Sequence, residues 1–302
     1  MSAPKSLSII IPTKNRAKAL RDTLPTLLSQ TTPATEILIV DQSANDETRQ
    51  LVIDAEAGSG SLGARAPQFV YMYEPKLTCA GAARNVAIDR ASGDILVFLD
   101  DDVLLEPDFL EQLIATYDQQ PNLGGVSGVI TNYPEPSAKQ RLITRIFWTG
   151  PFHDERQEIY WNCDSLRNAA PFPVRKFGAG LMSVKREALG EIRFDPLYRG
   201  SGEDVDVSWR VSERYPLVIA PRARLVHVRT GEGIPRLHWL ASDMQGSYFL
   251  YRRHWRQGLR NWLSFAWLHV GYAALAFLSS VRQGSWKPLR AFREGLRLGA
   301  AT

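Results

Sequence analysis

Cysteine is scarce in this chain of 302 residues: only Cys79 and Cys163 occur, far apart and outside any CxxC or Cys/His spacing. Neither a disulfide framework nor a thiolate zinc site is therefore expected, and a reducing, cytosolic setting fits best. The opening MSAPKSLSIII lacks the longer apolar core and small-residue cleavage site of a signal peptide. No internal repeat or low-complexity tract is present. Acidic residues are nearly missing from one end. Residues 252–302 hold nine Lys/Arg against one acid, a balance of +8, which leaves 27 against 31, or −4, in residues 1–251. Within that basic end, WLSFAWLHVGYAALAFLSSV (262–281) has no Lys, Arg, Asp or Glu, and fifteen of its twenty residues are apolar. An apolar run with basic flanks on both sides points to lipid rather than to nucleic acid, as a membrane-associated helix that is interfacial or re-entrant.

What is present in the first 130 residues is alternation. Short β-rich runs, LSIII (7–11), EILIV (36–40), QFVYMYE (68–74), DILVFLD (94–100) and GGVSGVI (124–130), read as strands. Helical patterns over 16–30, 46–56, 80–91 and 107–119 separate them, the last opened by Pro107. Such alternation predicts a doubly wound parallel sheet whose ligands gather at the carboxyl ends of the strands. PTKNR, DQSAND and DDD all fall at such ends. GSGSLGARAP (58–67) reads as a surface loop and 131–175 as irregular or partly helical. Beyond these come two short strands, 216–220 and 223–228, and helix from about Leu237 to the end.

The densest chemistry is FLDDDVLLEP (98–107). Three adjacent carboxylates repel one another at a strand end unless solvent or a cation compensates them. Mn2+ or Mg2+, which take oxygen ligands and share their shell with phosphates, would do so. Alternation along an extended segment lets Asp100 and Asp102 point one way and Asp101 the other. Equally, the acids could form a solvated turn, with Asp102 or Glu106 favouring the next helix's N-terminus.

Taken in order, IIIPTKNR, IVDQSAND, AGAARNVAI, FLDDDVLLEPDFL and GEDVDVSWRV resemble the family 2 glycosyltransferases, and the resemblance runs from about Leu7 to His227. It implies an α/β GT-A fold, a Rossmann-like, mainly parallel sheet with flanking helices. It also implies inverting transfer of a sugar from a nucleotide-diphosphate sugar to a glycan or lipid-linked acceptor. The expected organisation is a transferase domain over 1–235, with a nucleotide-binding half (1–130) and an acceptor-binding half (131–235), then a basic, hydrophobic helical region over 236–302. By the resemblance the acidic triplet is the DxD motif, with Asp100 near ribose or sugar and Asp102 on the metal. Asp101 is counted with the donor site. Pro12, Thr13, Arg16 and Asp41 would surround the nucleotide base, where Asp41 can accept from a ring N–H. Arg84 and Asn85, in a helix whose start offers N–H groups to an anion, would meet the diphosphate or the acids.

Glu203 and Asp204 match the family's ED motif, whose second acid is the general base; Asp204 is assigned that role and Glu203 orients the acceptor. The same residues fit helix-start chemistry, with Ser201 and Asp204 spaced as a capping motif and Asp206 four residues before Arg210. Gly178, Ala179 and Gly180 would let the acceptor approach the backbone, and Phe177 and the tryptophans near 148 and 161 could stack on sugars or pack in the core. His227 is an expected additional metal ligand, and Arg229 with the TGEG segment could close over the diphosphate. With the tail, this describes an enzyme on the cytoplasmic face of a membrane. Two rival readings are a sugar nucleotidyltransferase, against which the missing glycine-rich loop after the first strand counts, and a degenerate glycan-binding regulator, against which the intact acids count.

Overall fold

A run such as LSIIIPT has no polar face to turn to water, so it must be covered on both sides. In the computed structural model, which describes residues 5–148, 164–178, 180–198, 202–228, 236–255 and 258–300, that run is β1 (Leu7–Thr13), buried along its whole length. It is followed by α1 (Ala17–Leu28), β2 (Glu36–Asp41), α2 (Glu47–Ser59), β3 (Gln68–Tyr73), α3 (Ala80–Arg90) and β4 (Ile95–Leu99). β3, β2, β1 and β4 lie side by side in parallel, in that order. This half is the predicted doubly wound sheet. Leu20, Leu24 and Leu27, spaced to share one face of α1, join Ile9, Ile11, Ile37 and Ile39 in one core.

Beyond β4 the sheet is mixed. β5 (Val103–Leu105), α4 (Phe109–Gln119), β6 (Gly125–Ile130), α5 (Ala138–Ile143), β7 (Phe172–Val174), β8 (Leu181–Lys185), α6 (Arg186–Leu189), α7 (Glu203–Ser212) and β9 (Leu217–His227) follow. β8 inserts antiparallel between β4 and β6, β9 runs parallel to β6, and β5 and β7 pair antiparallel with β9. The two short strands expected at 216–220 and 223–228 are one strand. Its register against β6 jumps from Ser127 opposite Ile219 to Val129 opposite Arg224, so the Pro221 break in the pattern is an irregularity within β9 rather than a turn.

Other expectations shift locally. Pro107 precedes α4 instead of opening it: Asp108 stands at the N-cap, and the Pro107 carbonyl accepts from the Thr31 N–H at 2.8 Å. Glu106 pairs with Arg224 across to β9 rather than serving the helix. Part of the expected 58–67 loop is a 3-10 helix, Gly60–Arg65. The C-terminal region is helical in its described residues: α8 (Arg236–Leu250), a π turn (Tyr251–Trp255), α9 (Gly258–Gln283) and α10 (Lys287–Ala300). The chain gathers into two compact units. One comprises Met1–Tyr133, Asn162–Pro196 and Asp204–Gly231; the other comprises Pro134–Trp161, Leu197–Glu203 and Glu232–Thr302.

A buried carboxylate ties the amino-terminal edge of the sheet. Glu36 accepts from the Ser8 hydroxyl (2.6 Å) and from both the N–H (2.5 Å) and hydroxyl (2.9 Å) of Ser92. Burial alone would raise its pKa, but these donors, with the Gly93 N–H, outweigh it and hold the carboxyl below its ordinary range. A group depressed in this way contributes stability that is present above the ordinary carboxylate pKa and lost as pH falls through the folded-state value. Glu36→Gln is therefore expected to lower unfolding free energy by about 1–3 kcal/mol near neutral pH, with the difference shrinking towards about pH 3. Denaturant unfolding at both pH values checks this.

Candidate active site

Three strand ends and one antiparallel insertion build the site, all within the first unit. In the parallel half, Thr13 at the end of β1 stands opposite Asp41 at the end of β2, and β4 ends at Leu99, directly before the three acids. Across the sheet, Leu99 faces Leu181 of β8, so the neighbouring residues Asp100 and Gly180 meet. β5 leaves the acids and pairs with β9, placing His227 opposite Val103, one position from Asp102.

Each carboxylate has its own set of partners, and Arg16 is common to Asp101 and Asp102. Asp100 takes the guanidinium of Arg84 at 3.0 Å, and that arginine is only 3% exposed. Asp101 points into the fold, where the Thr13 hydroxyl donates to it at 2.6 Å and Arg16 pairs with it at 2.9 Å. Desolvation is the largest influence on Asp101, and with Asp100 and Asp102 nearby it outweighs Arg16 and Thr13, pushing the carboxyl up to about 7. Asp102 is also raised by burial, but hydrogen bonds and charge from His227 and Arg16 prevail and keep it low. Arg16 is disfavoured by burial yet held more firmly charged by Asp101, Asp102 and Asp100.

Asp100, Asp102 and His227 each offer a ligand atom, and these atoms lie within 4.8 Å of one another. Two carboxylates and an imidazole suit manganese or magnesium in oxygen-rich coordination. His227 Nε2 lies 2.9 Å from Asp102 Oδ1, and its Nδ1 lies 2.8 Å from the Tyr133 hydroxyl. That hydroxyl serves both tautomers: it donates to Nδ1 when Nε2–H faces Asp102, and accepts from Nδ1–H when the Nε2 lone pair turns to a cation. Tyr133 was not visible as a site residue from the sequence, because it lies at the start of a stretch without periodicity.

The ED pair opens α7. Asp204 Oδ1 accepts from the Val205 N–H at 2.8 Å, and Oδ2 faces the Gly180 N–H at 3.4 Å. Gly180 has φ +62°, and a Cβ there would fall 2.1–2.5 Å from the Asp100 carboxylate. It thus touches Asp100 on one side and Asp204 on the other. The expected i,i+4 pair is also present, with Arg210 2.6 Å from the buried Asp206.

Other expected residues sort as follows. Pro12, Thr13 and Asp41 share the site's edge but are buried; Asp41 accepts from the Ser43 N–H (2.8 Å) and the Tyr71 hydroxyl (2.7 Å). Asn85 is drawn away: its amide donates to the Phe194 carbonyl and accepts from the Phe194 N–H, both at 2.8 Å, so it clamps backbone. Phe177 is core, not surface. A Cβ at Gly178 would meet nothing within 4 Å. Glu203 is half-buried at the helix start. Ala179, Ser201, Cys163, Trp161 and the Arg229–TGEG segment lie outside the described residues.

Comparison with known proteins gives these geometries a context. Residues 8–188 match the profile of Glycosyl transferase family 2. The O-antigen biosynthesis protein RfbC of Myxococcus xanthus is 28% identical over 82% of this chain and 19% of its own length. The glucosyl-dolichyl phosphate glucuronosyltransferase of Haloferax volcanii is 23% identical over 88% of this chain and 75% of its own. The chain spans about a fifth to a third of the first curated relatives it matches. Among solved structures, a mannosyltransferase of Pyrobaculum calidifontis in complex with GDP-Man and Mn2+ superimposes with a TM-score of 0.60 at 18% identity, covering 99% of this chain and 86% of that one. GalNAc-T7 with UDP, GalNAc and Mn2+ gives 0.54 at 16% identity, covering 84% and 51%. These likenesses establish a GT-A fold.

Two outcomes test the site itself. Gly180→Ala is expected to lower stability by about 1–2 kcal/mol, through its backbone conformation and its collision with Asp100, and to weaken manganese binding about tenfold; thermal melts and manganese titration by electron paramagnetic resonance read both. Arg16→Ala is expected to lower the Tm of the metal-free protein more than that of the manganese-loaded protein, since a divalent cation restores the lost counter-charge.

Proposed function

Since the chain belongs to glycosyl transferase family 2, we propose that it is a metal-dependent inverting glycosyltransferase. It would move a sugar from a nucleotide-diphosphate donor to a hydroxyl of a glycan or lipid-linked acceptor. The observation that carries this reading is the Asp100–Asp102–His227 set at the carboxyl edge of the sheet, joined through Gly180 to Asp204.

Asp100, Asp102 and His227 are the residues to hold Mn2+ or Mg2+; when bound, the ion neutralises charge developing on the leaving diphosphate. The chain's own residues do the rest. Asp204 takes the proton of the acceptor hydroxyl as its oxygen attacks the anomeric carbon, and the diphosphate departs from the opposite face, inverting that carbon. The Val205 and Gly180 N–H groups fix the direction of the Asp204 carboxylate. Glu203 orients the acceptor. Pro12, Thr13 and Asp41 stand, buried, at the edge of the site where the base would lie, and Arg16 and Arg84 balance the acids beside the place of the diphosphate. A lipid-linked acceptor is supported by the dolichyl phosphate named for the Haloferax relative, and a cell-envelope glycan by the O-antigen protein.

The test is thermal unfolding with UDP, dTDP, GDP or CDP, each with manganese or with EDTA. A ligand that binds the native state raises Tm by mass action. One nucleotide is expected to stabilise the protein only with manganese, and Asp102→Asn is expected to abolish the shift. Asp204→Asn should keep that shift while losing transfer by about 10²–10⁴-fold. No shift with any nucleotide, or unchanged turnover in Asp204→Asn, overturns the reading.

A further inference from the structure

The second unit carries a long helix with an apolar face that the protein leaves uncovered. Leu259, Val270, Phe277 and Val281 of α9 are each half or more exposed. At about 100° per residue they fall on one side of the helix, along roughly 33 Å of its length. Only 28% of the most apolar window of α9 is buried, far from the covering a core helix receives. Trp262 near one end and Trp286 just past the other are also exposed. Tryptophan favours the headgroup level of a bilayer, where its ring sits apolar side in and N–H side out.

The opposite side of α9 is fastened to protein. Ser264, Leu268, Gly271, Ala276 and Ser280 are buried. Phe147 lies so close that a Cβ on Gly271 would fall 2.6 Å from it, and the Trp267 indole N–H donates to the Ile146 carbonyl at 2.7 Å. α10 packs against both α8 and α9. It meets α8 through a face of small residues: a Cβ at Gly295 would fall 2.6 Å from the Ala241 carbonyl, and one at Gly299 2.6 Å from Tyr248. Away from that face α10 exposes Lys287, Arg290, Arg293 and Arg297, and Arg260 and Arg282 stand exposed near the ends of α9. Carrying α9 across a bilayer would bring its partner's cations and Glu294 towards hydrocarbon, which is costly.

We infer that α9 beds lengthwise in the headgroup and upper acyl region of one leaflet, exposed stripe down, and that the occupant of this face is an anionic lipid bilayer. The +8 balance of residues 252–302 supplies the complementary charge. The stripe supplies buried apolar area, and together they give the two signals that stable surface attachment requires. The arrangement goes beyond the transfer chemistry and does not depend on it, since no residue of the candidate active site takes part.

Flotation of the full chain with sealed vesicles tests this, using phosphatidylcholine alone or mixed with phosphatidylglycerol. The wild type is expected to float with the anionic vesicles, less with neutral ones, and less as salt rises. Val270→Glu with Phe277→Glu should reduce flotation about tenfold with an unchanged melt. Should that pair disturb folding, Leu259→Ser with Val281→Ser gives the same reading at more exposed positions. For orientation, Arg260→Cys and Gln283→Cys, exposed near the two ends of α9 and off its apolar stripe, are made separately in a Cys79→Ser, Cys163→Ser background and treated with a membrane-impermeant maleimide added outside. Both should label without lysis. Protection of either until the vesicles are opened overturns the in-plane arrangement. Absence of flotation overturns the membrane assignment, as does a soluble dimer that the glutamate pair dissolves, because the face would then belong to a second copy. Nucleotide-dependent stabilisation of the glutamate variant separates failure here from failure of the transferase reading.

Discussion

The mutual repulsion of Asp100, Asp101 and Asp102 is the constraint around which the catalytic edge is organised. Two like charges about 4 Å apart at an effective dielectric of about 20 repel by about 4 kcal/mol, and here three stand in sequence at the mouth of an apolar strand. The fold separates them by direction. Asp100 meets Arg84, Asp101 turns inward to Thr13 and Arg16, and Asp102 is shared by Arg16 and His227. Arg16 is the pivot of this arrangement, because one guanidinium pairs with two neighbouring acids from a loop that β1 delivers.

The mixed half of the sheet follows from the same need. A wholly parallel sheet would bring only further strand-to-helix loops to that edge. The antiparallel β8 instead brings Gly180 to Asp100 and, through its N–H, to Asp204. The antiparallel pairing of β5 with β9 returns His227 to Asp102 across 125 residues of sequence. Only a residue lacking Cβ fits between the two acidic groups, so the spacing of DxD and ED is set by one glycine in a left-handed conformation.

What was legible in the sequence is what local chemistry dictates. Continuous apolar runs marked the buried strands, and the acid, Pro-Thr and Asp motifs fell at their ends; His227 was reached only through the resemblance to family 2 glycosyltransferases, and the fold sets it 2.9 Å from Asp102. Less legible was whatever depends on partners far along the chain. Asn85 looked like an anion ligand because a helix start favours that role, yet its amide matches the backbone of Phe194, 109 residues away. Tyr133 reaches His227 from a stretch that carries no pattern, and Tyr71 reaches Asp41 from β3, whose pairing beside β2 is not written in either strand alone. Pro221 read as a break between strands because a proline interrupts pairing, whereas β9 absorbs it as an irregularity.

Charge also orders the events at this edge if the donor is a nucleotide sugar. With the triplet ionised, three negative charges face the two guanidiniums of Arg16 and Arg84, and a diphosphate brought to them alone meets net repulsion. A divalent cation held by Asp100, Asp102 and His227 would reverse the sign, so cation and diphosphate would stabilise each other's binding, as linkage requires of any such pair. That cation would draw on the same Asp102 carboxylate that holds Arg16. An ion there would compete with Arg16 for Asp102. Arg16 serves as counter-charge to two of the acids, and released from Asp102 it would stand beside an incoming anion.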